Sequence, residues 1–410
     1  FDPDQAEWRL YRNGLLMVAL PETQGPTTIR DVNNWLGRSE FSGDQFFNGS
    51  FDEVRVYNYT LSEAEILGNR QAGPNTLNIG TQPSVFAWTP TAAGTYAFND
   101  NANWGGNPFP DTAGAFANMA KNLSGDQPVN LNTQATVGSL SFGDSDFSNR
   151  VTIAAGSSGS LEMNAGAGNI ASLTQSPGSI GDIISAPITL TSDTTVNNAG
   201  AVNSPLTIEG TLSGPGKFTK TGSGPVVLAG NNASYAGTIA INSGELVVGD
   251  GGTNGTLGSG PIQTTNRATL LFDRTDNVTF SQTVTGNGIV RFLGGSTLTN
   301  TGTIANTGTL DVQQGTLIND ATINGVQSIR SDNTVIFRGN STTNINGWTV
   351  FGITNGANIT VQDNASINIT AQGELNIGDV GGTTTMRMTG GNLAVNALFI
   401  GKNDNVNGYL

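Results

Sequence analysis

Short runs in which apolar and polar residues alternate recur along most of this chain, usually behind a glycine. Five of them are Gly244-Glu245-Leu246-Val247-Val248, Gly308-Thr309-Leu310-Asp311-Val312, Gly315-Thr316-Leu317-Ile318-Asn319, Gly373-Glu374-Leu375-Asn376-Ile377 and Gly391-Asn392-Leu393-Ala394-Val395. Period-two alternation predicts strands with one buried face. A five-residue strand cannot bury that face alone, so the recurrence predicts that each unit stacks on the next in a solenoid. Gly373 and Gly391 lie 18 apart, and Gly378 and Gly401 lie 23 apart, which sets a coil at roughly 18–25 residues. With rungs about 4.8 Å apart, some 300 residues then make a rod of roughly 60–80 Å. Inward Leu, Val, Ile and Phe are expected to stack. Glycine and asparagine are expected at the corners, and Asn and Thr in axial hydrogen-bond ladders.

Residues 1–70 do not carry this phrase. Trp8-Arg9-Leu10-Tyr11-Arg12 alternates, Asn13-Gly14 supplies a tight hairpin turn, and Leu15 to Leu20 returns. Trp35-Leu36-Gly37 predicts a short strand. Phe51-Asp52-Glu53-Val54-Arg55-Val56-Tyr57 predicts another, with Val54 and Val56 on one side and Glu53, Arg55 and Tyr57 on the other. Leu61 to Leu67 reads as a helix start, with Ser62 and Glu65 spaced as a capping box. Residues 71–85 form a small, polar, proline-containing linker. Phe86, Trp88, Tyr96, Phe98, Trp104, Phe109 and Phe116 then crowd one segment. A solenoid needs a closing unit, so residues 86–130 are expected to cap the repeats of 131–410; a sugar-stacking platform is the alternative use of these rings.

Two resemblances follow from these residues. Leu10-Tyr11-Arg12-Asn13-Gly14, Trp35-Leu36-Gly37-Arg38-Ser39, Phe47-Asn48-Gly49-Ser50-Phe51 through Asn58, and Leu61-Ser62-Glu63-Ala64-Glu65-Ile66 resemble the C-terminal half of a laminin-G-like, concanavalin A-like jelly-roll domain. Phe218-Thr219-Lys220-Thr221-Gly222-Ser223-Gly224, Leu228-Ala229-Gly230-Asn231-Asn232-Ala233-Ser234-Tyr235-Ala236-Gly237 and Gly244-Glu245-Leu246-Val247-Val248-Gly249 resemble the autotransporter-associated β-strand repeat. The best copy lies within 212–249, with Pro225 and Ala236 as departures from the pattern. Residues 373–410, through Thr385-Met386-Arg387-Met388-Thr389-Gly390-Gly391-Asn392-Leu393-Ala394-Val395, resemble a variant of that repeat common in long bacterial surface proteins. Together they imply an all-β chain: a partial antiparallel jelly-roll sandwich at the N-terminus, then a right-handed parallel β-helix exported to the cell surface or beyond. Both ends are expected to continue in a longer protein.

Composition narrows the chemistry. Glycine is 56 of 410 residues, charged residues are 12%, and the net charge is −14. A nucleic acid would be repelled, and no basic patch or RNA-binding aromatic motif appears. No apolar run reaches membrane-spanning length. Without cysteine or histidine there are no disulfides, thiolate sites or Ser-His-Asp arrangements. An enzyme on the solenoid would need paired carboxylates on neighbouring coils, or a basic residue beside acidic ones. Asp144-Ser145-Asp146 and Asp273-Arg274-Thr275-Asp276 are the candidates; both read more simply as solvated corners, and no charge recurs visibly at one coil position. In the jelly-roll part Arg38, Glu53, Arg55 and Tyr57 are candidates for a glycan-facing surface. Asp44 and Asp52 are candidates for a calcium contact, the one cofactor in view. Hydrogen bonding to neighbouring loops is the other role open to Asp52 and Glu53.

The expectation is therefore a non-catalytic, adhesin-like or structural protein, extracellular or on the bacterial surface. Its jelly-roll module would bind an extracellular glycan or surface protein and ride on a β-helical stalk. A polysaccharide-degrading lyase or hydrolase is the alternative. The passenger region of an autotransporter is a variant of the first reading that differs in export route.

Overall fold

The computed structural model describes residues 7–12, 15–21, 85–401 apart from 267, 371 and 372, and 407–409, with isolated positions 43, 49, 54, 66, 69 and 70. The chain divides into two compact units, Phe1–Val85 and Phe86–Leu410.

In the first unit Glu7–Arg12 and Leu15–Pro21 pair antiparallel, Arg12 opposite Leu15 and Leu10 opposite Val18, with a register shift between Leu10 and Tyr11. This is the hairpin that the alternation and the intervening Asn-Gly require. Ile66, Asn69 and Arg70 are helical, in line with the helix expected from Leu61; its capping pair, Ser62 and Glu65, lies outside the described residues. So do Trp35-Leu36-Gly37 and Phe51–Tyr57 except Val54, which is 48% exposed and in no strand.

The second unit is a parallel β-solenoid with three faces. A first face runs in 14 strands from Val85–Ala87 to Asn392–Ala394, and a second in 14 strands from Tyr96–Ala97 to Ala397–Ile400. Every described pairing in them is parallel, as between Phe218 and Ile239 or Val226 and Leu246. At about 4.8 Å per rung, 14 strands stack over roughly 60 Å. The third face is interrupted. Four strands, Ala135–Val137 to Leu212–Ser213, form one piece, and seven, Val278–Phe280 to Asn407–Tyr409, form another.

Alternation explains the core. On the second face Val226, Leu246, Leu270, Val290, Leu310 and Ile329 stand in register on successive coils, and all are buried. Each such side chain contributes roughly 1.5–3 kcal/mol by leaving water. Coils vary in length. Thr316 stands over Thr334, a short step, whereas Asn358 over Thr385 is half as long again. The step from Ser139 to Ser172 is longer still.

The glycine-led phrase marks a strand but not one position in the coil. Gly244–Val248, Thr309–Val312 and Glu374–Ile377 lie on the second face, Thr316–Asn319 on the third, and Asn392–Ala394 on the first. The spacing of Gly373 and Gly391 therefore links different faces. The spacing of Gly378 and Gly401 is a true coil, because Ile377 pairs with Ile400. Gly249 shows why glycine holds such a corner: its φ is +101°, and a Cβ there would lie 2.2 Å from the Asp273 carbonyl oxygen.

The expected axial ladders are present. Asn300 Nδ2 donates to Asn319 Oδ1 at 2.7 Å, both side chains buried. On the first face Asn324, Asn344 and Asn368 form an amide chain with bonds of 3.1 and 3.0 Å. At the start of both long sheets, Trp88, Phe98 and Trp104 pack edge to face with ring centroids 5.0 Å apart. Trp88 Nε1 donates to Gln127 Oε1 at 2.9 Å and Trp104 Nε1 to the Phe98 carbonyl at 2.6 Å. These rings are buried and offer no face to a sugar.

Candidate functional site

The best sequence repeat sits where the third face has no strand. After Leu212–Ser213 the next third-face strand is Val278–Phe280, and side chains bridge the gap. Asn232, buried, accepts at Oδ1 from the Leu212 N–H at 2.8 Å and donates from Nδ2 to the Thr256 carbonyl at 2.9 Å. One amide thus continues the ladder between the coil below and the coil above, in place of a peptide group. Tyr235, also buried, donates its hydroxyl to the Gly216 carbonyl at 2.6 Å, and burial pushes its phenol well above the usual range.

Lys220, the lysine of the Phe-Thr-Lys opening, is fully buried. Its Nζ donates to the carbonyls of Thr221, Gly222 and Ser243 at 2.9, 2.9 and 3.1 Å. Three N–H donors meet three carbonyls across a corner shared by two coils. Burial brings its ammonium down to about 7, with Glu245 pulling the other way. Its environment is that of a structural tie.

The two acidic candidates behave alike. Asp144, buried, accepts from the N–H groups of Leu123, Ser145, Ser148 and Asn149 and from the Ser148 hydroxyl at 2.8–3.0 Å. Burial acts against its charge, but these donors together hold its carboxyl well below the ordinary range. Arg274 clasps Asp276 through Nε and Nη2 at 2.8 and 2.7 Å and reaches the carbonyls of Thr253 and Gly255. It thereby fastens the strandless loop of the third face, and its hydrogen bond to Asp276 lowers that carboxyl's pKa.

Near Asp144 lies a carboxylate that the sequence does not single out. Asp182 is buried, accepting from the Val151 N–H at 2.8 Å and the Ser179 hydroxyl at 2.7 Å. Burial raises it to about 6, against the donors and Arg150. Between roughly pH 4 and 6 the folded chain keeps a proton there that the unfolded chain releases. The stability from this group is complete at low pH and lost as pH rises through 6. Asp182→Asn keeps an acceptor for Val151 and is expected to flatten this dependence. Urea midpoints at about pH 5 and pH 7.5 measure it; parallel behaviour of the two proteins would mean that Asp182 stays ionised throughout.

One charged column does recur at a single coil position, contrary to expectation. Arg291, Asp311 and Arg330 stand in register on three successive coils of the second face, pointing outward. Arg291 Nε donates to Asp311 Oδ2 at 3.1 Å, its Nη1 lies 3.5 Å from Glu245 Oε1, and Gln313 Nε2 also donates to Asp311 at 3.0 Å. Beside them opens a cleft of about 470 Å³ that includes Arg330, Asp332, Asn333 and Asn355. Asp332 accepts from the N–H groups of Ile353 and Thr354 and the Thr354 hydroxyl. Both cleft carboxylates are thus engaged, and among the described residues no side-chain hydrogen bond or ion pair of Arg330 is seen. The coils differ in length, so Arg291 to Asp311 and Asp311 to Arg330 are unequal steps in sequence, which masks the column. Aligning Val290-Arg291-Phe292, Leu310-Asp311-Val312 and Ile329-Arg330-Ser331 by their inward residues would have found it.

Arg38, Asp44, Asp52, Glu53, Arg55 and Tyr57 all lie outside the described residues. Among the described residues no group of three or more acidic side chains is placed to hold a metal ion, and no helix is long and apolar enough to cross a membrane.

Residues 1–67 match the concanavalin A-like lectin/glucanases superfamily. The chain is also similar to the Adhesin BmaC autotransporter of Brucella suis biovar 1 (strain 1330), 39% identical over 79 residues. That match covers 18% of this chain and 2% of the relative, so the chain spans a small fraction of the adhesin's length. No solved structure matches it. The chain thus has an N-terminal segment that matches the concanavalin A-like superfamily, then a parallel β-solenoid, with similarity in part to an autotransporter adhesin.

Proposed function

We propose that this chain is a non-catalytic, adhesin-like protein of the bacterial surface. Its concanavalin A-like module binds a glycan or a protein, and the β-solenoid spaces that module. The supporting observation is the unbroken parallel stacking of the solenoid's first two faces, with the acidic corners at Asp144 and Asp276 engaged by internal donors. Arg38, Glu53, Arg55 and Tyr57 are proposed to line the ligand surface, with Asp44 and Asp52 contacting calcium. Export as an autotransporter passenger is part of the same reading.

The test is binding of the whole chain to a glycan array with calcium and with a chelator. The double variant Arg38→Ala, Arg55→Ala is expected to weaken the module's ligands at least tenfold, and unchanged binding would remove these residues from the role. The in-register Arg291, Asp311 and Arg330 favour a second reading, a polysaccharide-degrading enzyme. Incubation with pectin, alginate and laminarin decides between them: robust release of reducing ends or unsaturated products would replace the adhesin reading.

A further inference from the structure

We propose that the corner between the second and third faces carries a subsite for a neutral sugar, held by Arg330 and Asn355 against Ile353. The cleft there is built by a change in corner length. Two successive coils turn from the second face to the third in three residues, 313–315, and in two, 332–333. The next coil takes six, 352–357, between Thr349–Phe351 and Asn358–Val361. This longer corner is pinned from both sides. On one, Asp332 accepts from the Ile353 and Thr354 N–H groups and the Thr354 hydroxyl. On the other, the N–H groups of Asp379 and Val380 donate to the Gly352 and Ile353 carbonyls at 2.8 and 3.0 Å. The result is a cleft of about 470 Å³ lined from all three coils, within the range of roughly 300–1,000 Å³ usual for small-ligand sites. Its walls are fixed before any ligand arrives, which lowers the ordering cost of binding.

The lining selects the ligand. It holds two guanidiniums, Arg291 and Arg330, and two carboxylates, Asp311 and Asp332. The cleft thus has no net charge, on a chain of net charge −14, and nothing in it draws an anion. What it offers is hydrogen bonding of both kinds. Arg330 and Asn355 are exposed, and no side-chain hydrogen bond or ion pair of either is seen among the described residues. A planar guanidinium and a planar amide are therefore open to a ligand. Asn333 spends its Nδ2 on the carbonyls of Val312 and Gln313, which leaves its Oδ1 to accept. A pyranose carries adjacent hydroxyls that donate and accept, and each of these planar groups is wide enough to span two of them. Ile353, half-buried in the same lining, supplies apolar surface for the C–H face of the ring. An apolar ligand would instead strand the polar groups away from water. No residue of this subsite lies within 1–70, so it stands apart from the N-terminal module.

A glycan array of neutral and acidic oligosaccharides tests this, probed with the whole chain and with the variant Arg330→Ala, Asn355→Ala. A set of neutral oligosaccharides is expected to lose at least fivefold in signal in the variant, with the rest of the array unchanged. Calorimetry with the strongest of that set should show a tenfold loss for Arg330→Ala and threefold or more for Asn355→Ala. Wild-type affinity should hold within twofold when salt is raised tenfold, since screening acts on charged partners. Both positions are exposed, so urea midpoints should match wild type. The variant Arg38→Ala, Arg55→Ala should keep these signals. Signals lost only in that variant would leave the N-terminal module standing and remove the subsite. An array on which no neutral glycan separates wild type from Arg330→Ala, Asn355→Ala would overturn the assignment. So would a loss confined to acidic glycans, or binding that falls steeply with salt.

Discussion

Leu246→Asp is expected to lower the stability of the solenoid by about 5 kcal/mol, a large effect for one substitution. Leu246 is fully buried and stands between Val226 and Leu270 in the inward column of the second face. A carboxylate there has no donor to meet it, and either stays charged in a dry core or takes up a proton at a high cost. The missing Leu packing adds roughly 2–3 kcal/mol. Position in the stack matters as much as burial. Its strand has neighbours on both sides within a 14-stranded sheet, so the lesion severs nearest-neighbour coupling in the interior instead of fraying an end. Thr207→Asp, on the outward side of the same face, should change stability by less than about 1 kcal/mol. Ile377→Asp, buried likewise, repeats the experiment further along. Urea unfolding followed by circular dichroism reads all three, and a Leu246→Asp midpoint matching wild type would show that Leu246 does not face the core.

The strands were legible because two-residue alternation survives in a stretch as short as Thr316–Asn319. Their arrangement was only partly so. The phrase at Gly373 and the phrase at Gly391 look like successive copies of one element, yet they fall on the second and first faces. All three faces impose the same demand, alternate residues inward, so nothing local distinguishes them. Coil length, which would, varies with the corner loops. The same variation hid the column of Arg291, Asp311 and Arg330. Asn232 and Tyr235 were visible as parts of a repeat, but their work was not: a motif marks that residues belong together, whereas replacing a missing strand is a fact of three dimensions. Asp182 gave no signal at all, since its burial comes from the long coil between Ser139 and Ser172 and from Val151 on the neighbouring strand.

Lys220→Met is expected to destabilise the chain by about 3 kcal/mol, even though it removes a buried charge. Replacing a buried ionic group by an apolar one of similar shape is often neutral, provided that the partners are replaced too. Here the partners are the carbonyls of Thr221, Gly222 and Ser243, and no side-chain substitution removes those. Each buried carbonyl left without a donor costs about 1–3 kcal/mol. Against this stands the recovered desolvation of the ammonium, which is what brings Lys220 down to about 7, and the carbonyl penalty outweighs it. A pH dependence identifies the cause. The unfolded chain keeps this lysine protonated up to about pH 10.4, while the folded chain releases the proton near 7. Between those values the unfolded state binds more protons, so stability from this residue rises with pH. The margin of wild type over Lys220→Met should widen by about 2 kcal/mol from pH 7 to pH 9. A constant margin would mean that Lys220 keeps its ammonium across that range, held by the three carbonyls and Glu245 against burial. An unchanged midpoint at every pH would mean that the corner closes without it, and the lysine of this repeat would then lose its role as the tie between coils.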